Sequence, residues 1–217
     1  MDQSLCDMLH DAARTLQVSL TDREVHLFGV YCDDLIFWNR KMNLIGTDSR
    51  MDIVIRHFID SLTPVPFISR PEGRLLDIGS GGGLPGIPIK IALPSLHIAL
   101  LEASRKKASF LKHMIRRLQF SRAQVIHART EAAMHDASLC RAFDTVISRA
   151  AFKLPELLET ALYFLAPEGQ LIAMKGPNYR QEADAATTPN LVFKACHAIT
   201  VPFSDEHRNI LIFQRDV

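Results

Sequence analysis

RLLDIGSGGGLPGIPIKIALPSLHIALLE, residues 74–102, decides the fold of this chain. A short apolar run stops at a cluster of glycines, and a second apolar run, 98–101, ends on Glu102. Strand, glycine turn, short helix and acid-terminated strand are typical of the first βαβ unit of a nucleotide-binding sheet. Glycine lets the backbone turn sharply and lets a ligand approach closely. The stretch therefore predicts a ligand site directly after the first strand.

Two glycine patterns in this turn predict different cofactors. Gly81, Gly83 and Gly86 fit the dinucleotide pattern G-x-G-x-x-G, but this frame begins three residues past the apolar run and places prolines in its helix. Asp77, two residues before Gly79, would lie close to the pyrophosphate of a dinucleotide. Its carboxylate would instead attract S-adenosylmethionine (SAM), whose amino and sulfonium groups are cationic. D-x-G-x-G-x-G resembles motif I of class I SAM-dependent methyltransferases, so we predict SAM, with a nicotinamide-dependent oxidoreductase as the alternative.

Composition predicts a cytoplasmic protein of one moderate domain with an appendage. The chain has 217 residues and a formal net charge of +1. Its four cysteines are scattered, without metal-ligand spacing, so we expect reduced thiols and no metal site. No apolar run approaches the ~20 residues that a membrane span needs. The first residues, MDQSLCDMLHD, lack the basic start and apolar centre of a signal peptide. A monomer is the default expectation.

Helical and strand patterns follow one another along the chain. Apolar residues at three- and four-residue spacing predict helices in residues 1–66, one of them starting at a capping box of Thr21 and Glu24 and ending near Asn39. Residues 67–217 alternate strand and helix patterns, with a polar helix at 179–186, and close with two β-rich runs that can pair antiparallel. We predict an α/β class I SAM-dependent methyltransferase (Rossmann-like) fold. It has a mostly parallel seven-stranded sheet, helices on both faces and an N-terminal helical cap.

A basic helix follows the first βαβ unit. Residues 103–129 contain eight lysines and arginines and neither Asp nor Glu, in a chain whose net charge is close to zero. Such a local excess is either a solvated helix face or a surface that contacts phosphates. The residues proposed to contact a nucleic acid include Arg40 and Lys41, which follow Trp38 and Asn39. The others belong to the basic run: Arg105, Lys106, Lys107, Arg116 and Arg117.

Several short blocks name a family. WNRKMNL (38–44), RHFIDS (56–61) and the LPGIP continuation of the glycine turn resemble the rRNA small subunit methyltransferase G family, also called glucose-inhibited division protein B. SRA (148–150), KG (175–176) and EHR (206–208) also correspond. The resemblance runs from about residue 5 to the C-terminus. It implies methylation of N7 of a guanosine in 16S rRNA of the small ribosomal subunit.

The resemblance also implies roles for individual residues. Gly79, Leu84, Thr130, Glu131 and Arg149 would line SAM, and an acid at the position of Glu102 would hold the ribose hydroxyls. Because guanine N7 carries a lone pair and no proton, no general base is expected. No residue is therefore assigned as catalytic; Asp60, Arg149 and Lys175 are candidates for positioning. A non-catalytic RNA-binding protein on the same fold is a further alternative. His57 and Trp38 are expected to be structural.

Overall fold

The protein is an α/β fold built on one twisted sheet. The computed structural model describes residues 1–149, 151–179 and 188–216. Within them, seven strands lie in the order β3-β2-β1-β4-β5-β7-β6, and only β7 runs antiparallel to its neighbours. This arrangement confirms the predicted mostly parallel sheet and the closing antiparallel pair. The strands are β1 (Arg74–Ile78), β2 (His97–Glu102), β3 (Ala123–His127), β4 (Phe143–Arg149), β5 (Leu165–Lys175), β6 (Leu191–Thr200) and β7 (His207–Arg215).

Helices cover both faces of this sheet. The N-terminal ones are α1 (Gln3–Thr15), α2 (Asp22–Met42) and a continuous helical stretch of α3 (Arg50–Asp52), a π-helical section (Ile53–Ile59) and α4 (Asp60–Leu62), followed by a 3₁₀ turn (Val65–Phe67). The others are α5 (Gly86–Ala92), α6 (Arg105–Arg117), α7 (Thr130–Ala133), α8 (Leu154–Phe164) and a 3₁₀ turn (Pro177–Tyr179). No helix in the described ranges has the length and apolarity that a membrane crossing demands.

The alternation of side chains along the strands divides the core into two layers. Leu75 lies in the layer shared with α1, α2, α5 and α6, whereas Leu76 and Ile78 lie in the layer shared with α7 and α8. Successive residues of a strand point to opposite faces, so Asp77 shares the face of Leu75. The carboxyl group of Asp77 is thereby directed toward the side of the sheet that the N-terminal helices cover.

The N-terminal helices belong to the same core as the sheet. Phe28 and Phe58, from two of these helices, are fully buried with ring centroids 5.1 Å apart. They belong to one continuous apolar cluster with Leu75 of β1 and Ile147 of β4. The predicted division of the chain at residue 66 therefore coincides with a change of secondary structure and crosses a shared core.

Local sequence signals account for most helix ends. The carboxylate of Glu24 accepts a hydrogen bond from the backbone N–H of Thr21 at 2.8 Å, as the capping-box pattern predicts. α2 runs on past the expected end at Asn39 and stops where Asn43 takes a left-handed conformation with φ 49°. The π-helical section was not predicted, because its apolar spacing is also that of an α-helix. The predicted polar helix at 179–186 falls almost entirely on residues 180–187, outside the described residues.

Candidate functional site

The candidate site lies where the strand order reverses. β1 pairs in parallel with β2 on one side and with β4 on the other, and the chain leaves β1 toward β2. The carboxyl ends of neighbouring parallel strands leave a crevice at such a reversal, and ligands bind there in open α/β sheets. Four of the predicted residues stand at or near these ends: Asp77 on β1, Glu102 on β2, Arg149 on β4 and Lys175 on β5. The sheet thus brings together side chains that are far apart in the sequence.

The glycine turn after β1 requires glycine for two different reasons. Gly79, Gly81 and Gly83 have φ values of 75°, 56° and 92°, a region that side chains disfavour. A Cβ on Gly79 would also lie 2.7 Å from the Cβ of Ala151, so this position is closed by packing. A Cβ on Gly81 would meet nothing nearer than the carbonyl of Gly79 at 3.9 Å. Gly81 is therefore the point at which the turn faces open space that a ligand can enter.

Asp77 is a buried carboxyl group with an unpaired oxygen. Its side chain is fully buried, and Oδ2 accepts a hydrogen bond from the backbone N–H of Gly86 at 3.1 Å. Oδ1 has no hydrogen-bond partner among the described residues. Burial raises the pKa of Asp77 to about 7, although the N–H of Gly86 and the guanidinium of Arg149 oppose this rise. An unpaired carboxylate oxygen beside the turn suits a cationic ligand group and would repel a pyrophosphate.

Glu102 connects the end of β2 to the glycine turn. Its Oε2 accepts a hydrogen bond from the N–H of Gly81 at 2.8 Å, and its Oε1 accepts one from the N–H of Ser104 at 2.7 Å. Carboxylate oxygens can each accept a second hydrogen bond, so this group keeps capacity for hydroxyl donors of a ligand. Thr130 and Glu131 open α7 just after β3, whose His127 lies opposite Glu102 in the sheet. Thr130 and Glu131 therefore lie at the same edge of the sheet as Glu102.

An ion-pair cluster centred on Asp60 lies on the β4 side of the crevice, opposite Glu102 of β2. Asp60, only 1% exposed, accepts a hydrogen bond from Nη1 of Arg149 at 3.0 Å and one from Nε of Arg208 at 2.7 Å. Glu206 lies 3.6 Å from Nη2 of Arg208 and 3.5 Å from Nε of Arg56. The cluster joins α4, β4 and β7. Asp60 and Arg149, both candidates for positioning, therefore lie in direct contact, and their positioning role stays a prediction.

His57 lies beside this cluster in a neutral environment. Burial and the Arg149 guanidinium lower the pKa of His57 to about 4, so the imidazole is uncharged at neutral pH. Its Nδ1 and the Oγ of Ser61 are buried and lack hydrogen-bond partners among the described residues. π-Helical turns are rare and often lie at functional sites, and here one places His57 and Asp60 beside Arg149.

Lys175 and Leu84 are both buried rather than displayed in the crevice. Nζ of Lys175 donates a hydrogen bond to the carbonyl of Phe152 at 2.7 Å, and the residue is 8% exposed. Lys175 thereby holds the chain segment that follows β4. Leu84, 6% exposed, belongs to the core layer below the glycine turn and is followed by a cis peptide bond to Pro85.

Tyr31 is a component of the site that the sequence did not reveal. This fully buried residue of α2 donates a hydrogen bond from its hydroxyl to the carbonyl of Gly82 at 2.6 Å. Its ring stacks on Phe58 with centroids 5.1 Å apart. A Cβ on Gly82 would lie 3.5 Å from Leu35 and 3.6 Å from the carbonyl of Leu44. The middle of α2 and the loop after this helix thus pack against the glycine turn.

The basic residues predicted to contact RNA lie at two different distances from the crevice. Arg105, Lys106 and Lys107 form the first turn of α6, which begins three residues after Glu102 at the carboxyl edge of the sheet. Arg116 and Arg117 lie at the other end of that helix, about 16 Å away at 1.5 Å per residue. Arg117 also lies 3.5 Å from Asp34, which offsets part of its charge.

Comparison with known proteins places the chain in a family. The sequence profile of the family described as rRNA small subunit methyltransferase G matches residues 24–211. The chain is 43% identical over 217 residues to ribosomal RNA small subunit methyltransferase G of Syntrophus aciditrophicus, covering 98% of this chain and 90% of the relative. The protein of that name from Geobacter metallireducens is 36% identical, with coverages of 99% and 98%.

The chain belongs to the rRNA small subunit methyltransferase G family. This confirms the resemblance drawn from the short sequence blocks. Solved structures agree on the fold. A putative O-methyltransferase from Klebsiella pneumoniae aligns with a TM-score of 0.59 at 16% identity, over 86% of this chain and 90% of that one. A predicted O-methyltransferase from Agrobacterium tumefaciens aligns with a TM-score of 0.58 at 21% identity, over 74% and 81%. The predicted class I methyltransferase fold is therefore confirmed.

Proposed function

We propose that this protein is a SAM-dependent methyltransferase that modifies N7 of a guanine in 16S rRNA of the small ribosomal subunit. The observation that supports SAM as the cofactor is the pair of buried carboxyl groups, Asp77 and Glu102, on either side of the glycine turn. A dinucleotide would bring its pyrophosphate next to Asp77, which disfavours the oxidoreductase alternative. Family membership supports the substrate, because the relatives' names specify small-subunit ribosomal RNA.

The residues fit SAM in a definite arrangement. Oδ1 of Asp77 would face the cationic methionine end, the open side of Gly81 would admit the ligand, and Glu102 would accept hydrogen bonds from the ribose hydroxyls. Thr130 and Glu131 would border the adenine. Arg149, oriented by Asp60, has further N–H donors in its guanidinium and would hold the carboxylate of the methionine. Lys175 would act indirectly, by holding the segment after β4 through Phe152.

The reaction requires the guanine and the methyl group to be aligned, and it requires no proton transfer. When bound, SAM supplies an electrophilic methyl group on a cationic sulfur. Transfer to N7 would require no proton transfer, because N7 offers a lone pair to the methyl carbon and the electron pair of the broken carbon–sulfur bond would return to sulfur. The protein must therefore align the guanine with the methyl group and tolerate positive charge on the purine. Carboxylates at the crevice, such as Asp77 and Glu102, would stabilise that positive charge.

The cofactor is tested by ligand-dependent stability. SAM or S-adenosylhomocysteine should raise the melting temperature, whereas NAD and NADP should not. E102Q should weaken SAM binding about tenfold, because a charged acceptor is lost. E159Q, an exposed change of the same type on α8, serves as the matched control and should bind SAM like the wild type. Stabilisation by a dinucleotide in place of SAM would refute the cofactor assignment.

The substrate is tested by methyl transfer. Small subunits from cells that lack this protein are incubated with methyl-labelled SAM and the purified chain, and the label is mapped in 16S rRNA. We expect label on N7 of one guanine. Absence of label from the RNA, with SAM binding intact, would identify a non-catalytic RNA-binding protein. Label on another atom or another base would refute the N7 assignment.

A further inference from the structure

We propose that the target RNA docks on a composite surface formed by the C-terminal end of α2 and the first turn of α6, with Phe37 as a platform on which an unpaired base stacks. We name it the α2–α6 surface; its residues are Phe37, Arg40, Lys41, Arg105, Lys106 and Lys107. This inference rests on the proposed function. On this surface the RNA meets Phe37, and Arg116 and Arg117 take no part.

The two helices lie antiparallel, which fixes the neighbours on this surface. Asp34 of α2 contacts His113 of α6 at 2.7 Å and Arg117 at 3.5 Å. One turn further along α2, Trp38 contacts Phe110 and again His113, with ring centroids 5.8 and 5.2 Å apart. Advancing along α2 therefore means moving backward along α6.

One further turn along the same stripe of α2 leads to Lys41. Residues three and four apart share a helix face, so Lys41 extends the stripe of Asp34 and Trp38. The corresponding position on α6 is its first turn, which holds Lys106 and Lys107. The cations of α2 and those of α6 thus come from different elements and gather at one place.

The charges of this surface are uncompensated. Arg40, Arg105, Lys106 and Lys107 have no carboxylate within 4.0 Å in the part of the chain that the structure describes. At the far end of α6, by contrast, Asp34 pairs with His113 and Arg117. The first turn of α6 also contains no acidic residue. Cations there oppose the helix dipole and cost stability, so an anionic partner explains the arrangement better than folding does.

Phe37 gives the surface its selectivity for unpaired RNA. Its side chain is 59% exposed, the highest value among the large apolar side chains exposed in the described residues. Nζ of Lys41 lies over its ring, 5.5 Å from the centroid. An exposed aromatic ring beside cations is the combination that single-stranded RNA uses, with bases stacked on the ring and phosphates on the cations.

The α2–α6 surface also lies within reach of the crevice. α6 starts three residues after Glu102, and a Cβ on Gly82 of the glycine turn would lie 3.6 Å from the carbonyl of Leu44 in the loop that follows α2. RNA held on this surface therefore lies next to the carboxyl edge, where its target base can enter the crevice. RNA held at Arg116 and Arg117 would be about a helix length away from that edge.

Charge reversal tests the cationic part. In R105E/K106E both changes lie at exposed positions, and acidic residues in a first helical turn are favourable, so folding should be preserved. R23E/K194E is the matched control, because it reverses two exposed cations outside the proposed surface, one in the first turn of α2. Binding of an unmodified 16S rRNA fragment is measured at several salt concentrations, together with SAM affinity and thermal stability.

We expect R105E/K106E to weaken RNA binding more than tenfold and to flatten its salt dependence. SAM affinity and melting temperature should stay at wild-type values, and the control should bind RNA within about twofold of the wild type. Equal losses of RNA affinity in both variants would mean that the attraction is diffuse and electrostatic, and would contradict the proposed docking surface. So would wild-type RNA binding by R105E/K106E.

Replacement of Phe37 tests the stacking part. F37A should weaken RNA binding about tenfold without changing its salt dependence, since no charge is lost. F193A removes another exposed phenylalanine, 53% exposed at the start of β6, and should leave binding unchanged. Unchanged binding by F37A would remove Phe37 from the interface.

If the wild-type chain binds anionic lipid vesicles through these residues and not the rRNA fragment, the surface contacts lipid and the proposal fails. Failure of wild-type methyl transfer is a separate result and concerns the proposed function alone.

Discussion

Asp77 is the residue whose chemistry depends most on its surroundings. Burial raises its pKa to about 7 from an ordinary value of 3.8. Between these two values the folded chain keeps a proton that the unfolded chain has lost. The free energy of unfolding contributed by Asp77 must therefore fall as the pH rises through this window. The same group is mostly ionised above pH 7, where it can attract a cationic ligand.

D77N should remove this pH dependence, because an amide does not titrate. Relative to the wild type, the variant should gain about 2–3 kcal/mol in free energy of unfolding between pH 5 and pH 8, measured by denaturant titration without ligand. SAM affinity should rise with pH across this range in the wild type and stay flat in D77N. D7N, at an exposed acid of α1, is the control and should follow the wild type. A stability difference between wild type and D77N that does not change with pH contradicts the assigned pKa.

Tyr31 should act on the cofactor site through the glycine turn. Y31F keeps the ring packed on Phe58 and removes only the hydrogen bond to the carbonyl of Gly82. We expect SAM binding about five- to tenfold weaker and the free energy of unfolding about 1 kcal/mol lower. Y163F removes a similar hydrogen bond, from Tyr163 to the carbonyl of Asp136 at 3.2 Å, outside the crevice. If Y31F and Y163F bind SAM equally well, Tyr31 has no positioning role.

At the scale of secondary-structure elements, the Asp60 cluster joins three pieces of the chain. One carboxylate from the N-terminal helical stretch is shared by guanidinium groups from β4 and β7. β6 runs in the same direction as β5, so the turn from β6 into β7 lies at the carboxyl edge, next to the crevice. The cluster therefore fixes the N-terminal helices and the last hairpin relative to Arg149.

D60N should be strongly destabilising, because two mostly buried guanidinium groups lose their shared counter-charge. We expect a loss of about 2–4 kcal/mol in the free energy of unfolding, together with weaker SAM binding through a displaced Arg149. D33N breaks the pair between Asp33 and Arg50, whose side chains are 57% and 46% exposed, and should cost at most about 1 kcal/mol. Equal effects of the two changes on stability would show that burial adds nothing at Asp60.

At the scale of the whole molecule, the N-terminal helices and the sheet share one apolar core. Phe28, Tyr31 and Phe58 are fully buried in the layer that also contains Leu75 and Ile147 of the sheet. Removing the helices would expose that layer to water, at a cost of about 25 cal/mol for each Å² of apolar surface.

The fragment 67–217 should therefore fail to fold by itself, although the sequence suggests a boundary at residue 66. The full chain should unfold in a single cooperative transition, followed by both far-ultraviolet circular dichroism and fluorescence of Trp38. The fragment should show no cooperative transition and should not be stabilised by SAM. A fragment that unfolds cooperatively, or two separate transitions in the full chain, would establish independent domains.

The sequence by itself determined the type of sheet, the glycine turn, the acids at the ends of β1 and β2, and the family. These features are readable because they are local. A strand, its turn and the acid that ends the next strand lie within residues 74–102, and alternation or helical spacing reports which side chains are buried. The capping box at Thr21 and the basic excess on α6 are readable for the same reason.

Only the tertiary structure decided which distant residues meet. The hydroxyl of Tyr31 reaches Gly82 across 51 positions, and Asp60 reaches Arg208 across 148. No spacing rule predicts such pairs, because they arise from how separate elements pack against one another. The same packing determined that the first turn of α6, and not its last, lies beside the C-terminal end of α2 and the crevice. A run of basic residues gives the amount of charge, but the direction in which its helix packs determines where that charge lies.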